Sequence, residues 1–241
     1  NDSYFPLFIR RTEYLVYKFI IIIRPQTNCR GQLSALLISD HNAATGIRSA
    51  NGIYGYAYED FEVSLANWNA VTGPFTLNGG VVECTDAAQT NSNLYLNVLQ
   101  DSTASYLYTW DQTFTSNNTN QRAGLHFFCD NPTLPNRGNS YFVWLRETDD
   151  LAQIYKVVND TFSLVSTGNI NLTPYSNYHC KVTYEPGSGW IKCYVNDSLT
   201  VQWQDIDPLQ GGSAISLRSA GCTASFDNVK VFHSRPNALY V

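Results

Sequence analysis

The chain contains no methionine among its 241 residues, so Asn1 is not a translation start, and a removed leader or a preceding domain is expected. It also lacks any long apolar run. The longest, Phe19-Ile20-Ile21-Ile22-Ile23, is stopped by Arg24-Pro25, far short of the roughly 20 residues a membrane-spanning helix needs. A soluble or surface-attached protein is expected. Charged residues make up only 15% of the chain, and no basic stripe interleaves with aromatics, so nothing suggests nucleic acid as a partner. The six cysteines (Cys29, Cys84, Cys129, Cys180, Cys193 and Cys222) include no C-x-x-C and no Cys/His cluster. Zinc, haem and thioredoxin-like chemistry are thereby unsupported. No Gly-x-Ser-x-Gly elbow occurs, and the four histidines are isolated from one another, which leaves a nucleophilic triad without support.

What is present is β text. From about Tyr58 onward, short segments alternate apolar and polar residues with turn signals between them. They include Val81–Thr85, Ser105–Thr115, Ala123–Cys129, Ser140–Glu147, Ala152–Val158, Tyr178–Tyr184, Trp190–Val195 and Ala224–Phe232. Strands at this spacing, with no long helical pattern between them, predict a sandwich or barrel. Breakers such as Asn78-Gly79-Gly80 and Pro186-Gly187-Ser188-Gly189 fall where hairpins need them. With 44% hydrophobic and 14% aromatic residues, sixteen of them tyrosine, the chain can bury a sizeable core.

Six cysteines in an extracellular chain predict up to three disulfides. Cys180 and Cys193 flank the Pro186–Gly189 turn and are the expected cross-strand pair. Five N-x-S/T sequons, at Asn1, Asn117, Asn159, Asn171 and Asn196, agree with a secreted glycoprotein if they fall in exposed loops. Net charge is −5 overall, yet residues 1–57 carry six basic against three acidic side chains, or +3. A basic head on an acidic body could dock on a neighbouring copy.

Gly211–Arg218 and Phe226–Phe232 resemble the closing two strands of concanavalin-A-like, laminin-G-like sandwiches. Ala123–Phe128, Asn136–Trp144 and Ile154–Asn159 further resemble a module near the C-termini of large secreted Bacteroidetes proteins. The likeness covers roughly Phe61–Arg235 and implies the fold, an all-β antiparallel jelly-roll, without an activity to carry over. Residues 1–57 lie outside it and are expected to form an ordered N-terminal extension, with the sandwich over 58–241. The extension either adds an edge strand to its own sheet or pairs, through Phe19–Ile23, with the next copy.

Sandwich hydrolases of the laminarinase type present Glu-x-Asp-x-x-Glu on one strand. The nearest stretch, Glu147-Thr148-Asp149-Asp150, lacks the last glutamate and reads as a turn. Carbohydrate-binding sandwiches often clip their first and last strands with calcium, and Asp60 and Asp227 resemble that pair. Tyr106, Tyr108 and Trp110 share one parity, which makes Tyr108 and Trp110 a candidate sugar platform, with Arg137 and Asn139 on its rim. The expected function is an extracellular, cell-surface, non-enzymatic module that binds glycan or surface polysaccharide. The alternatives are a structural subunit self-assembling through Phe19–Ile23 and a glycoside hydrolase.

Overall fold

A computed structural model describes residues 57–234, all of which lie within one compact unit, Ala43–Val241. The segment Phe19–Ile23 and, Ala57 apart, the rest of the 1–57 extension lie outside the described residues, as do residues 235–241. Fifteen strands follow in chain order. The first seven are β1 (Ala57–Glu59), β2 (Trp68–Thr72), β3 (Phe75–Asn78), β4 (Val81–Cys84), β5 (Asn93–Asp101), β6 (Tyr106–Phe114) and β7 (Arg122–Cys129). After them come β8 (Ser140–Arg146), β9 (Leu151–Val158), β10 (Thr161–Asn169), β11 (Asn177–Glu185) and β12 (Trp190–Val195). The last are β13 (Ser198–Gln204), β14 (Gly211–Ala220) and β15 (Ala224–His233).

They form two antiparallel sheets stacked as a jelly-roll sandwich. The first sheet runs β13-β12-β11-β6-β15-β4-β3, with β1 also on β15; the second runs β10-β9-β8-β7-β14-β5-β2. Tyr106, Tyr108, Trp110 and Phe114 of β6 and Leu125, Phe127, Tyr141 and Val143 of the second sheet fill the space between them. Strict alternation along β6 and β11 puts every second side chain there, which is how a half-buried sheet stores its apolar area.

One irregularity is held by a buried amide. β14 shifts register against β5 between Gly212 and Ala214, and against β7 between Ala214 and Ser216. Beside it Phe128 is fully buried with φ of 55°. Bulges leave ladder groups without their usual partners. Gln100 supplies them: its Nε2 donates to Ala214 O (2.9 Å) and Val98 O (3.0 Å), while Oε1 accepts from Phe128 N (3.1 Å) and Tyr108 Oη (2.6 Å). Gln100→Leu is expected to cost about 1–3 kcal/mol for each group stranded in the core, read as a lower urea midpoint.

The expected disulfide is corrected by the register. Cys180 stands opposite Val195, and Cys193 opposite Val182, so the two cysteines are diagonal neighbours rather than partners. Diagonal positions sit about 7–8 Å apart, beyond the Cα separation a disulfide spans. Both are buried free thiols, as are Cys84, Cys129 and Cys222. Burial pushes the Cys193 thiol up to about 12 and Cys222 to about 11. All five should resist alkylation in the native protein and react fully in denaturant, as counted by peptide mass spectrometry.

Candidate functional site

The residues expected to bind ligand do not form a surface. Tyr108 and Trp110 share a face, but it is the inner one, where they are 0% and 1% exposed. Trp110 Nε1 donates to Gln112 Oε1 (2.8 Å), and Gln112 Nε2 reaches Ala123 O of the facing sheet (3.2 Å). Arg137 is fully buried. Its guanidinium donates to Ser216 Oγ, Asn91 Oδ1 and the carbonyls of Ser92 and Pro135. Asn139 is half-buried and fastens its loop, donating to both Asp130 carboxylate oxygens and accepting from Asn159 N. These four hold the scaffold rather than a platform.

A different set of side chains gathers on the outer face of the second sheet. On β8, Tyr141, Val143 and Leu145 enter the sandwich, while Phe142 and Trp144 form a second cluster with Ala220, Tyr155 and Phe162. Register explains the grouping. His126 stands opposite Phe142 and Gly124 opposite Trp144, and Phe142 in turn pairs with Tyr155. On the other side of β7, Arg218 faces Gly124 and Ser216 faces His126. His126 stacks on Phe142 (3.9 Å, 11° between planes), and Phe142 meets Trp144 edge-on at 4.7 Å. Tyr155 and Phe162 continue the row, 5.4 Å apart and half-buried. Arg122 lies over the Trp144 ring at 5.0 Å, and Arg218 over Phe162 at 5.0 Å and Phe142 at 5.7 Å.

This apolar floor carries an unmet polar demand. Among the described residues, the buried side-chain nitrogens or oxygens without a partner are Arg122 Nε, His126 Nε2 and Arg218 Nε. All three belong to this one cluster. Such groups are costly to leave unpaired. Burial, then the neighbouring Arg122, lowers the Arg218 guanidinium to about 10. Burial chiefly, then Arg146, also lowers Arg122. His126 is held well below its ordinary value by burial, then by Arg137 and Arg218, and is neutral at pH 7.

That depression has a signed consequence. The unfolded chain takes up a proton on His126 near pH 6.5, and the native site refuses it. Stability from this residue is therefore complete above pH 6.5 and falls on acidification, by about 1.4 kcal/mol per pH unit, until the folded pKa is reached. His126→Gln should flatten the urea midpoint against pH below that value.

Among the described residues, the carboxylates whose fields reach the arginines of this cluster are Asp149 at Arg122 and Asp160 at Arg218. Carboxylates gather on the outer face of the first sheet. There Asp227 stands opposite Asp111 beside a cleft of about 240 Å³ lined also by Thr113, Asn177 and Ser225. Burial raises the Asp227 carboxyl first, with Asp111, Asp60 and Glu62 adding to it. Asp111 is bonded to His179 Nδ1 (2.7 Å) and Asn228 Nδ2 (3.0 Å). Asp60 follows β1, which pairs with β15, and its field reaches Asp227. Among the described residues, however, no three of His, Cys, Asp and Glu converge to hold a metal ion. Calcium takes roughly 6–8 oxygens, which carboxylates, amides, backbone carbonyls and water all supply. Glu147, the nearest thing to a hydrolase glutamate, accepts from Gln121 Nε2 (2.6 Å) in a 3-10 turn.

The sequence reasoning passed over Phe142, Trp144, Tyr155, Phe162, Arg122 and Arg218 as a site. A signal existed: β8 is apolar at both parities, although only one can face the core.

Solved structures share the fold. Carbohydrate binding module CBM66 from Bacillus subtilis is 20% identical, with a TM-score of 0.57, over 69% of this chain and 95% of its own. The Emp47p carbohydrate recognition domain is 12% identical, with a TM-score of 0.57, over 81% of this chain and 100% of its own. A Bacillus licheniformis β-glucanase is 14% identical, with a TM-score of 0.55, over 76% and 100%. At these identities the likeness is one of fold, concanavalin-A-like. No family model matches the chain, and no curated protein matches it in sequence.

Proposed function

We propose that the chain is a non-enzymatic carbohydrate-binding sandwich of the cell surface, its glycan lying across the outer face of the second sheet. The observation that carries this reading is the half-buried pair Tyr155 and Phe162, packed on the buried rings of Phe142 and Trp144, beside unpaired arginine donors. Flat rings pack against the apolar faces of sugars, and fixed donors take their hydroxyls. The presence of a carbohydrate binding module and a lectin-type domain among its fold relatives supports the same reading. Affinity electrophoresis of the full chain against a panel of neutral and acidic polysaccharides tests it. The wild type should be retarded by at least one, and a Tyr155→Ala/Phe162→Ala variant, altered only at half-buried residues, should run free. No retardation by any polysaccharide would end the proposal.

A second reading is hydrolysis at the first sheet, favoured by the facing carboxyls Asp111 and Asp227 and by fold relatives that are glucanases. It requires reducing-sugar release that Asp227→Asn abolishes. Calcium at Asp60 and Asp227 has the neighbouring carboxylates of Asp111 and Glu62 in its favour. A melting temperature raised by calcium in the wild type and not in Asp227→Asn would support it. Self-assembly through Phe19–Ile23 rests on the sequence alone.

A further inference from the structure

The cluster on the second sheet is cationic in a protein that is acidic overall. Arg122 and Arg218 lie over its rings, and the field of Arg137 reaches His126. Among the described residues, the ion pairs are Arg146–Asp149, Lys156–Asp205, His179–Asp111 and Lys181–Asp197, so none of the three arginines has a carboxylate partner. Asp160 is the carboxylate whose field reaches both Arg137 and Arg218. Its Oδ1 is already taken by the backbone amides of Asn136 and Gly138. Arg218 keeps its Nη groups on Asn136 Oδ1 (3.2 Å) and Thr90 O (3.1 Å), and its Nε is unpaired. Neutral oxygens thus satisfy part of the hydrogen bonding, and the fields of Asp160 on Arg218 and Asp149 on Arg122 are outweighed by burial and the neighbouring arginines. An unpaired buried cation is costly, and opposite charge from a ligand is what relieves it.

We propose that this face selects an acidic glycan, one bearing a carboxylate or sulfate. The oxyanion is held between Arg218 and Arg122, and the sugar ring that carries it packs on the half-buried Tyr155 and Phe162. The inference rests on the preceding reading of this face and adds the chemistry of its ligand. Arginine suits the role because its planar fork takes carboxylate or sulfate oxygens two at a time while stacking on aromatic rings. Non-specific attraction does not supply the same result. With a net charge of −5 at pH 7, the whole chain repels polyanions, and only a local cluster can hold one.

Two matched pairs of polymers isolate the charge: polygalacturonate with its methyl ester, and dextran sulfate with dextran. Affinity electrophoresis of the full chain should show retardation by a charged member and none by its neutral partner, with the effect weakened by salt. Retention by polygalacturonate alone would assign a carboxylate, by dextran sulfate alone a sulfate, and by both a general oxyanion site. Arg218→Gln should raise the apparent Kd by about tenfold or more. Arg122→Gln, altered at a half-buried position, should act in the same direction should the first variant fail to fold. Equal binding of charged and neutral members, or unchanged binding in both variants, would overturn the proposal. If neutral polysaccharides alone are bound and the Tyr155→Ala/Phe162→Ala variant loses them, the acidic ligand is refuted and the glycan-binding face stands. Binding of none refutes both.

Discussion

Trp110→Ala is expected to lower stability by about 3–5 kcal/mol, the range for emptying a packed core of a large aromatic. Domains of this kind hold a total of roughly 5–15 kcal/mol, so the variant should sit close to unfolding. Its melting temperature should drop by roughly 6–20 °C. Trp110 is 1% exposed on β6, between β11 and β15, and it anchors Gln112, which crosses to the facing sheet. Its loss removes ring contacts and leaves an amide carbonyl without its donor. Polysaccharide affinity per folded molecule should stay unchanged, because the ring faces inward. Calorimetry and affinity electrophoresis on the same preparation check both halves. A stable variant that had lost binding would contradict the inward placement.

Gly124→Ala is expected to damage fold and site together. A Cβ at Gly124 would lie 2.1 Å from Val143 O and 2.5 Å from Trp144 Cα. Both are backbone atoms of the adjacent strand and cannot rotate away, so β7 and β8 must move apart. Forcing atoms into such a space costs about 1–3 kcal/mol, occasionally more. The displaced residue is Trp144, on which Arg122 stacks, so glycan affinity should fall by about tenfold or more, roughly 1.4 kcal/mol. Gly187→Ala is the control, since a Cβ there meets nothing within 4 Å. A urea titration and a binding isotherm on each variant separate the two effects.

The fold was legible because alternation is a local property. The segments from Val81 to Phe232 correspond to strands of the two sheets, and turn formers mark their ends. β5 is missing from that series, although Leu94, Leu96 and Val98 alternate as plainly as any, and all three are buried. For β6 the shared parity of Tyr108 and Trp110 was readable and the direction of that face was not. An aromatic triplet looks the same whether it meets sugar or another sheet. The Cys180 and Cys193 strands were placed side by side correctly, yet alternation says nothing of a two-residue offset. The outer site was harder still. Arg122, Trp144, Tyr155, Phe162 and Arg218 come from five strands, and only the pairing register brings them together. Hydrophobic pattern fixes which face each strand buries, while its offset along the partner depends on turn geometry and on bulges such as that at Ala214.

The three unpaired buried nitrogens make this cluster a place where the protein is less stable than its packing alone would allow. Whatever satisfies them lowers the energy of the folded state and leaves the unfolded chain untouched. Recognition and thermal resistance are then one equilibrium seen from two sides, and ligand at about a hundred times its Kd should add about 2.7 kcal/mol. The melting curve of the wild type becomes an unbiased detector: a library of saccharides can be sorted by which of them the fold itself prefers to keep.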